Sequence, residues 1–343
     1  MTTKMQAAVA TRFRSPLAVT TVPVPAPGPG QVLVRVHACG VCHTDLHTVN
    51  GDWPVKPSLP RVPGHEAAGE VVEVGDLVRE VAVGDRVGVP WLHSACGRCE
   101  QCLTGWETLC DKQTRTGYDV DGGFAEYVLA DAAYVAHLPA AMDYLHAAPL
   151  MCAGLTVYKG MRMVDAAPGD WVVVSGIGGL GHLAVQYARA MGYQVVAVDI
   201  DDSKLDLAAR LGASMTVNAK TTDPVSYLQR QLGGVHGALV TAVSPAAFSQ
   251  AVGMMRPGGT VVLNGVPPGD FALNIYDIVM RAITMRGSIV GTRADLARAL
   301  ELAVQARIET VIHPAHLEDV NEVLDKMQKW PIPGRTVLEF GPR

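Results

Sequence analysis

The chain has 343 residues, of which 49% are hydrophobic, so it is long enough to bury the cores of about two domains. Its net charge is −5 at pH 7, and lysine and arginine are spread along the sequence, which argues against nucleic acid as a partner. No apolar run approaches the ~18 residues that a membrane span requires, and the N-terminus lacks the apolar core of a secretory signal. We therefore expect a soluble, cytoplasmic protein without a membrane partner.

The first part of the chain has the sequence pattern of a β-rich domain. From residue 5 to about 135, short valine-rich runs are broken by glycine, proline or aspartate, which predicts antiparallel strands joined by many turns. From residue 154 onward, strands alternate with amphipathic helices. This alternation indicates βαβ units around a parallel sheet.

The last part of the chain predicts two helices, over 294–307 and 317–329, and a closing strand near 334–340. A nucleotide-binding core would be complete near residue 290. We therefore expect three segments in two domains: a catalytic, zinc-binding part over 1–153, a nucleotide-binding domain over 154–290, and a return of 291–343 to the catalytic domain.

A glycine motif opens the predicted nucleotide-binding domain. Gly176, Gly178 and Gly181 form G-x-G-x-x-G between an apolar strand and an amphipathic helix, and Asp199 ends the next predicted strand. In this context the glycines let the backbone turn tightly and approach a pyrophosphate, and the acidic residue accepts hydrogen bonds from both ribose hydroxyls. An acidic residue there repels a 2′-phosphate, so the pattern favours NAD over NADP. The alternative is a plain turn followed by a solvated strand end.

A second motif has metal-ligand spacing. The pattern C-x2-C-x2-C-x7-C is formed by four cysteines, Cys96, Cys99, Cys102 and Cys110. Four thiolates leave no open coordination position, so the loop predicts a closed, structural zinc site. An iron–sulfur cluster or a set of redox-active thiols are the alternatives. The odd total of seven cysteines fits a reducing compartment better than a disulfide framework.

Three further residues form a candidate catalytic zinc site. Cys42, His65 and Cys152 are far apart in sequence, so only the fold could bring them together. Two cysteines and one histidine leave a fourth position open for water or substrate, as catalytic zinc requires. The two thiolates balance the charge of the zinc ion, so such a site has no net charge. A bound alcohol can then lose its proton near neutral pH. The alternative is that these residues are buried core residues.

The motifs together resemble those of the zinc-dependent medium-chain alcohol dehydrogenases (the medium-chain dehydrogenase/reductase family), especially the tetrameric bacterial and yeast branch. The resemblance is carried by "CGVCHTDLH", "PGHEAAGEV", the four-cysteine loop and "GIGGLGHLAVQYARAMGYQVVAVD", and it extends over essentially the whole chain. It implies an α/β protein with a GroES-like β-rich catalytic domain and a doubly wound Rossmann domain. It also implies NAD, one catalytic and one structural zinc per chain, and a homotetramer.

The resemblance assigns roles around the catalytic zinc. Cys42, His65 and Cys152 would be the zinc ligands, Glu66 would be a carboxylate that approaches the metal transiently, and Asp45 would orient the His65 ring.

A proton relay is implied next to these ligands. Thr44 would hydrogen-bond the alcohol oxygen and begin a relay through the nicotinamide ribose to His47, and His43 would reach the cofactor pyrophosphate. The alternative for the two histidines is a pair of solvated turn residues. Cys39 matches no ligand pattern.

The resemblance also places the cofactor and the substrate. Trp53 and Trp91 would narrow the substrate pocket and favour small primary alcohols, unless they serve only for packing. Besides the motif residues already named, the cofactor would be held by Gly179, Leu180, Lys204, Val266, Val290 and Arg335.

The sequence thus predicts an NAD-dependent alcohol dehydrogenase that reversibly converts ethanol-like, or longer or aromatic, primary alcohols into aldehydes. A polyol or threonine dehydrogenase of the same superfamily is the enzymatic alternative. A non-catalytic zinc- and nucleotide-binding module is the alternative from another class, although pure binding needs no proton relay.

Overall fold

A computed structural model describes residues 3–329 and 333–341. The chain divides into two units. The first contains the described residues of Met1–Cys152, Thr292–Glu301 and Val311–Arg343, and the second contains Ala153–Gly291 and Leu302–Thr310. Helices long and apolar enough to cross a membrane do not occur within the described residues.

The first unit is β-rich, as the sequence predicts. Its elements up to residue 152 are β1 (Lys4–Val9), β2 (Ala18–Pro23), β3 (Gln31–Gly40), α1 (His43–Asn50), β4 (Ala67–Val74), β5 (Arg86–Val89), β6 (Leu92–Ser94), α2 (Glu100–Leu103), β7 (Thr114–Arg115), β8 (Tyr127–Asp131), β9 (Ala136–His137) and α3 (Tyr144–Ala147), with 3₁₀ turns at Glu107–Leu109 and Ala148–Met151.

The second unit alternates strands and helices. Its elements are α4 (Ala153–Arg162), β10 (Trp171–Ser175), α5 (Gly181–Ala190), β11 (Gln194–Asp199), α6 (Asp202–Arg210), β12 (Met215–Asn218), α7 (Pro224–Leu232), β13 (Val235–Val240), α8 (Pro245–Met254), β14 (Met255–Leu263), α9 (Ile275–Met280) and β15 (Thr284–Gly287).

The remaining elements are α10 (Arg293–Gln305), β16 (Ile312–Ala315), a 3₁₀ turn at Leu317–Asp319, α11 (Val320–Lys329) and β17 (Arg335–Glu339). Helix α10 begins in the first unit, and its last turn belongs to the second. The two helices and the closing strand predicted for this part of the chain are all present.

Antiparallel pairing dominates the main sheet of the first unit. Within the described residues this sheet has seven strands, with β3 paired to β17, β4 and β8, and β4 paired in turn to β5. The long strand β3 is mostly buried, and its alternate residues Val32, Val34 and Val36 belong to the core of this unit. Strand β3 leads directly into the loop before α1, so the core fixes the position of the "CGVCHTDLH" segment.

The sheet of the second unit is parallel, with the strand order β12-β11-β10-β13-β14-β15. Its central strands are continuous runs of valine and other apolar residues that are buried on both faces, as parallel strands covered by helices require. The strand order reverses between β10 and β13. In sheets of this kind, nucleotides bind at such a point, in the crevice beyond the carboxyl ends of the strands. The predicted doubly wound Rossmann fold is confirmed.

Candidate metal centres and cofactor site

The four cysteines of the predicted structural site converge, with ligand atoms all within 4.8 Å of one another. Short local elements shape the loop: α2 begins directly after Cys99, and the turn Glu107–Leu109 leads into Cys110. Gly97 and Gly105 have φ angles of 69° and 84°, a conformation in which glycine has no steric penalty. The loop therefore wraps its thiols around one centre, and four sulfurs so arranged suit tetrahedral zinc.

A second cluster joins residues from distant parts of the first unit. The ligand atoms of Cys42, His65, Glu66 and Cys152 lie within 4.8 Å of one another, and all four residues are buried. Cys42 is the N-cap of α1, the His65–Glu66 pair immediately precedes β4, and Cys152 follows the turn Ala148–Met151. The fold therefore assembles the three predicted ligands and Glu66 in one place.

Asp45 ties this cluster together. Its Oδ2 accepts the backbone N–H of Cys42 at 2.9 Å, and its Oδ1 accepts the backbone N–H of Gly64 at 3.1 Å and the Nδ1–H of His65 at 2.8 Å. Asp45 is itself buried, at 1% exposure. A carboxylate only accepts hydrogen bonds, so it fixes the His65 proton on Nδ1 and leaves the Nε2 lone pair free.

The cluster fits a zinc ion. The Nε2 atom of His65 is buried and has no hydrogen-bond partner within the described part of the chain, a condition that is costly unless a ligand satisfies the nitrogen. The pKa of the Cys42 thiol lies well below its usual range, mainly because Cys152 donates a hydrogen bond to its sulfur. This hydrogen bond outweighs the opposite effect of burial, and the positive charge of Arg335 lowers the pKa further. The pKa of Cys152 is raised by the same hydrogen bond and by burial. Two thiols sharing a proton in this way would both be deprotonated as metal ligands.

Glu66 pairs with an arginine behind the cluster. The Nε–H of Arg335 donates to Glu66 Oε2 at 3.1 Å, a second guanidinium N–H donates to Oε1, and both side chains are buried. Burial raises the pKa of Glu66 to about 7, although Arg335 opposes the shift. A Cβ atom on Gly40 would lie 1.9 Å from Glu66 Oε2, so this pair requires glycine there. Two nitrogens of Arg335 are thus occupied, and its pyrophosphate contact stays a prediction.

The first turns of α1 carry the predicted relay residues. Thr44 and His47 are three residues apart and therefore share a face of the helix, as do His43 and His47, four residues apart. Thr44 and His47 are half-buried, whereas His43 is exposed. The spacing suits a path from the Thr44 hydroxyl to the His47 imidazole along one face of the helix.

The two predicted pocket tryptophans belong to an aromatic group beside His65. The Trp91 ring meets the edge of His65 with centroids 5.1 Å apart, and it lies 6.1 Å from the Trp53 ring. Tyr118 contacts both tryptophans, at 5.4 Å and 5.9 Å, and its hydroxyl donates to the carbonyl of Val55.

The glycine loop has the geometry that a dinucleotide requires. Gly176 has φ 95°, and a Cβ on Gly181 would lie 1.9 Å from the Gly176 carbonyl oxygen, so both glycines are needed for the turn itself. A Cβ on Gly178 would meet nothing within 4 Å. That open space is where the pyrophosphate of a cofactor would approach the protein backbone. The Asp199 carboxylate ends β11 and accepts the backbone N–H of Ile177 at 2.6 Å, which ties the strand end to the loop.

The other predicted cofactor residues are distributed over the second unit. Leu180 is the N-cap of α5, directly after Gly179, and Lys204 is buried within α6. Val266 lies in the exposed segment after β14, and Val290 has a φ of 44°, which is uncommon for a β-branched residue.

Four residues of the site region escaped the sequence prediction: Gly40, Asp52, Glu107 and Tyr118. Asp52 stands in the "GDWP" turn beside Trp53, and Glu107 stands between the third and fourth cysteines, so both are close in sequence to predicted site residues. No signal in one sequence identifies Tyr118 or Gly40, because their contacts depend on packing between distant segments.

Comparisons with known proteins agree with this geometry. Residues 28–140 match the alcohol dehydrogenase GroES-like domain, and residues 179–305 match the zinc-binding dehydrogenase domain. An alcohol dehydrogenase of Moraxella sp. (strain TAE123) is 56% identical over 336 residues, covering 98% of this chain and 99% of that relative.

Solved structures give the same result. The alcohol dehydrogenase of Aeropyrum pernix has a TM-score of 0.89 and 32% identity, with coverage of 98% of this chain and 100% of that one. An acetophenone reductase of Geotrichum candidum, in complex with NAD, has a TM-score of 0.87 and 30% identity, with coverage of 99% and 98%. The chain therefore belongs to the zinc-binding, medium-chain alcohol dehydrogenase family of oxidoreductases, with a GroES-like and a Rossmann domain.

Proposed function

We propose that this protein is an NAD-dependent, zinc-dependent dehydrogenase that interconverts small primary alcohols and aldehydes. The observation that carries the proposal is the buried cluster of Cys42, His65 and Cys152 with the free Nε2 of His65. When bound by these three residues, zinc would supply a Lewis acid that polarises the alcohol oxygen and favours loss of its proton. A second zinc would be held by the four-cysteine loop and would have a structural role.

The residues of α1 would move the alcohol proton. In the proposed reaction, Thr44 Oγ1 accepts the proton of the substrate hydroxyl while it gives up its own hydroxyl proton. His47 is the terminal base that takes up the relayed proton and releases it to solvent. Asp45 holds His65 in the required tautomer throughout, because its carboxylate accepts the Nδ1–H. Glu66, paired with Arg335 and with an oxygen among the candidate ligand atoms, would be the carboxylate that approaches the metal.

The glycine loop and Asp199 would hold the cofactor. NAD supplies the hydride acceptor when bound. The open space beside Gly178 would admit its pyrophosphate, and the carboxylate of Asp199 would accept hydrogen bonds from the adenosine ribose and disfavour a 2′-phosphate.

The aromatic group would select the substrate. Trp53 and Trp91 are bulky, and Trp91 lies against the ring of a proposed zinc ligand. We propose that they leave room for small alcohols beside the metal and restrict branched ones.

A matched pair of cysteine variants tests the proposal. Cys152 is a proposed ligand, whereas Cys39 is also buried but lies outside the cluster. Cys152→Ser should lose one of two zinc ions per chain and nearly all NADH formation with ethanol or benzyl alcohol. Cys39→Ser should keep both metals and turnover. Retention of full turnover and both zinc ions by Cys152→Ser would overturn the assignment.

We also propose that copies associate into a homotetramer. Four large apolar residues of α9, Ile275, Tyr276, Val279 and Met280, are between 64% and 79% exposed, and α9 precedes the edge strand β15 in the chain. An exposed apolar surface of this kind is typical of subunit interfaces. Light scattering should give four times the chain mass, and Val279→Lys should lower that mass.

The seven cysteines are all free of disulfides, which supports a cytoplasmic location. Fractionation of the source cells should place the protein with cytoplasmic markers.

A further inference from the structure

The end of α1 brings a carboxylate back to His47. The helix is closed by Gly51, whose φ of 64° is left-handed and whose N–H donates to the His47 carbonyl at 2.9 Å. The next residue, Asp52, also donates its N–H to this carbonyl, at 3.3 Å. This reversal places Asp52 Oδ2 at 3.2 Å from His47 Nδ1.

The surroundings of His47 hold its ring in place. The ring stacks on Trp53, with centroids 5.5 Å apart and an interplanar angle of 29°. The other oxygen of Asp52 lies 3.5 Å from a guanidinium nitrogen of Arg14. His43, one turn earlier on the same helix, is the other titratable side chain on this face.

The chemistry of this pair fixes which nitrogen of His47 can act. A carboxylate accepts hydrogen bonds and donates none, so the proton of neutral His47 resides on Nδ1. The Nε2 lone pair is then free to accept a proton. Once His47 is protonated, the negative charge of Asp52 stabilises the imidazolium.

We infer that Asp52 is a positioning residue for proton release: it fixes the tautomer of His47, so that Nε2 is the nitrogen that accepts the proton. The inference rests on the proposed role of His47 as terminal base. Asp52 does not touch the substrate, and it acts only through His47.

Solvent and Arg14 limit the size of the effect. The side chains of His47 and Asp52 are 28% and 34% exposed, and the Arg14 side chain is 76% exposed. A pair exposed to this degree is screened by solvent, so we expect loss of Asp52 to lower turnover only moderately.

The sign of the change follows from the direction of proton transfer. Alcohol oxidation needs neutral His47, because its Nε2 accepts the proton. Asp52→Asn removes both the acceptor that fixes the tautomer and the charge that favours imidazolium, so kcat should fall. Arg14→Gln removes an opposing positive charge but keeps the hydrogen bond between His47 and Asp52, so kcat should not fall.

The test is the pH profile of kcat for ethanol oxidation by the zinc-loaded enzyme at saturating NAD. We compare the native protein with Asp52→Asn, Arg14→Gln, His47→Gln and the His47→Gln/Asp52→Asn double variant, each with its zinc content measured. Asp52→Asn should lower the plateau about three- to tenfold. The double variant should match His47→Gln, since Asp52 has nothing to act on without the imidazole.

Two results would overturn the inference while leaving the proposed function intact. In the first, His47→Gln lowers kcat but Asp52→Asn changes neither the profile nor the plateau. In the second, Asp52→Asn lowers kcat by the same factor with and without His47, which indicates a purely structural role. If instead His47→Gln leaves kcat unchanged, both the relay of the proposed function and the role of Asp52 are removed.

Discussion

Glu107 joins the four-cysteine loop to Arg293, the first residue of helix α10. Its carboxylate accepts the backbone N–H of Arg293 at 2.8 Å and guanidinium N–H groups at 2.9 to 3.2 Å. The Arg293 guanidinium also lies over the ring of Tyr134, 4.2 Å from its centroid. The loop is therefore anchored to a helix that is distant in sequence.

This contact predicts that Glu107→Gln destabilises the loop. The Glu107 side chain is 8% exposed and that of Arg293 45%, so loss of the charged hydrogen bonds should cost about 1–2 kcal/mol in the free energy of local unfolding. Hydrogen exchange of the first turn of α10, measured with zinc retained, should speed up accordingly. Glu301→Gln, an exposed position on the same helix, serves as the control, and equal exchange in both variants would contradict the anchor.

A second prediction concerns the effect of Asp45 on the affinity for zinc. Asp45→Asn keeps the size of the side chain but replaces an acceptor-only group with one that also donates, so the His65 tautomer is no longer fixed. We expect the protein to fold and the affinity for zinc at the Cys42 cluster to fall about 10- to 100-fold. Competition with a chelator measures this. Asp76→Asn, at an exposed carboxylate, should leave the affinity unchanged, and unchanged affinity in Asp45→Asn would argue against the orienting role.

Two glycines of one motif should respond differently to alanine. A methyl group at Gly178 enters open space, whereas one at Gly181 would lie 1.9 Å from a carbonyl oxygen. Gly178→Ala should therefore keep the thermal stability of the protein but weaken NAD binding about tenfold or more, because the methyl occupies the space of the pyrophosphate. Gly181→Ala should lower stability as well. Native NADH affinity in Gly178→Ala, measured by fluorescence, would show that the cofactor does not approach there.

The aromatic group predicts a change of substrate preference. Trp53→Leu removes a half-buried ring beside Trp91, so kcat/KM for benzyl alcohol relative to ethanol should rise about tenfold, the order expected for a change of pocket volume. Trp106→Leu replaces a tryptophan of the four-cysteine loop that is 41% exposed, and it should leave the ratio unchanged. A ratio that stays constant in Trp53→Leu would remove this residue from the pocket.

The sequence alone is informative where chemistry depends on local spacing. The four cysteines lie within one loop, and the glycine motif lies between adjacent elements, so both patterns predict their geometry without knowledge of the fold. The valine runs of the parallel sheet and the two late helices are equally local patterns. No local pattern connects Cys42, His65 and Cys152; the chemistry of two cysteines and one histidine suggested a catalytic zinc site, and the family resemblance assigned these residues as its ligands.

Contacts between residues that are distant in sequence could not be predicted from the sequence. Glu107 and Arg293 are 186 residues apart, and Glu66 and Arg335 are 269 apart, so each pair forms only after the sheet and helices have packed. Asp52 is close to His47 in sequence, yet its contact depends on the left-handed turn at Gly51. The sequence shows a glycine at that position, but it does not show in which direction the chain turns there.

The central claim is that the Cys42 cluster holds the zinc that is needed for alcohol oxidation. The most direct test follows NADH formation at 340 nm with ethanol and benzyl alcohol while a chelator removes zinc stepwise and the metal content per chain is counted. We predict two zinc ions per chain, with activity lost in proportion to removal of one of them and restored when zinc is returned. A protein that binds two zinc ions and NAD but oxidises no primary alcohol would contradict the account.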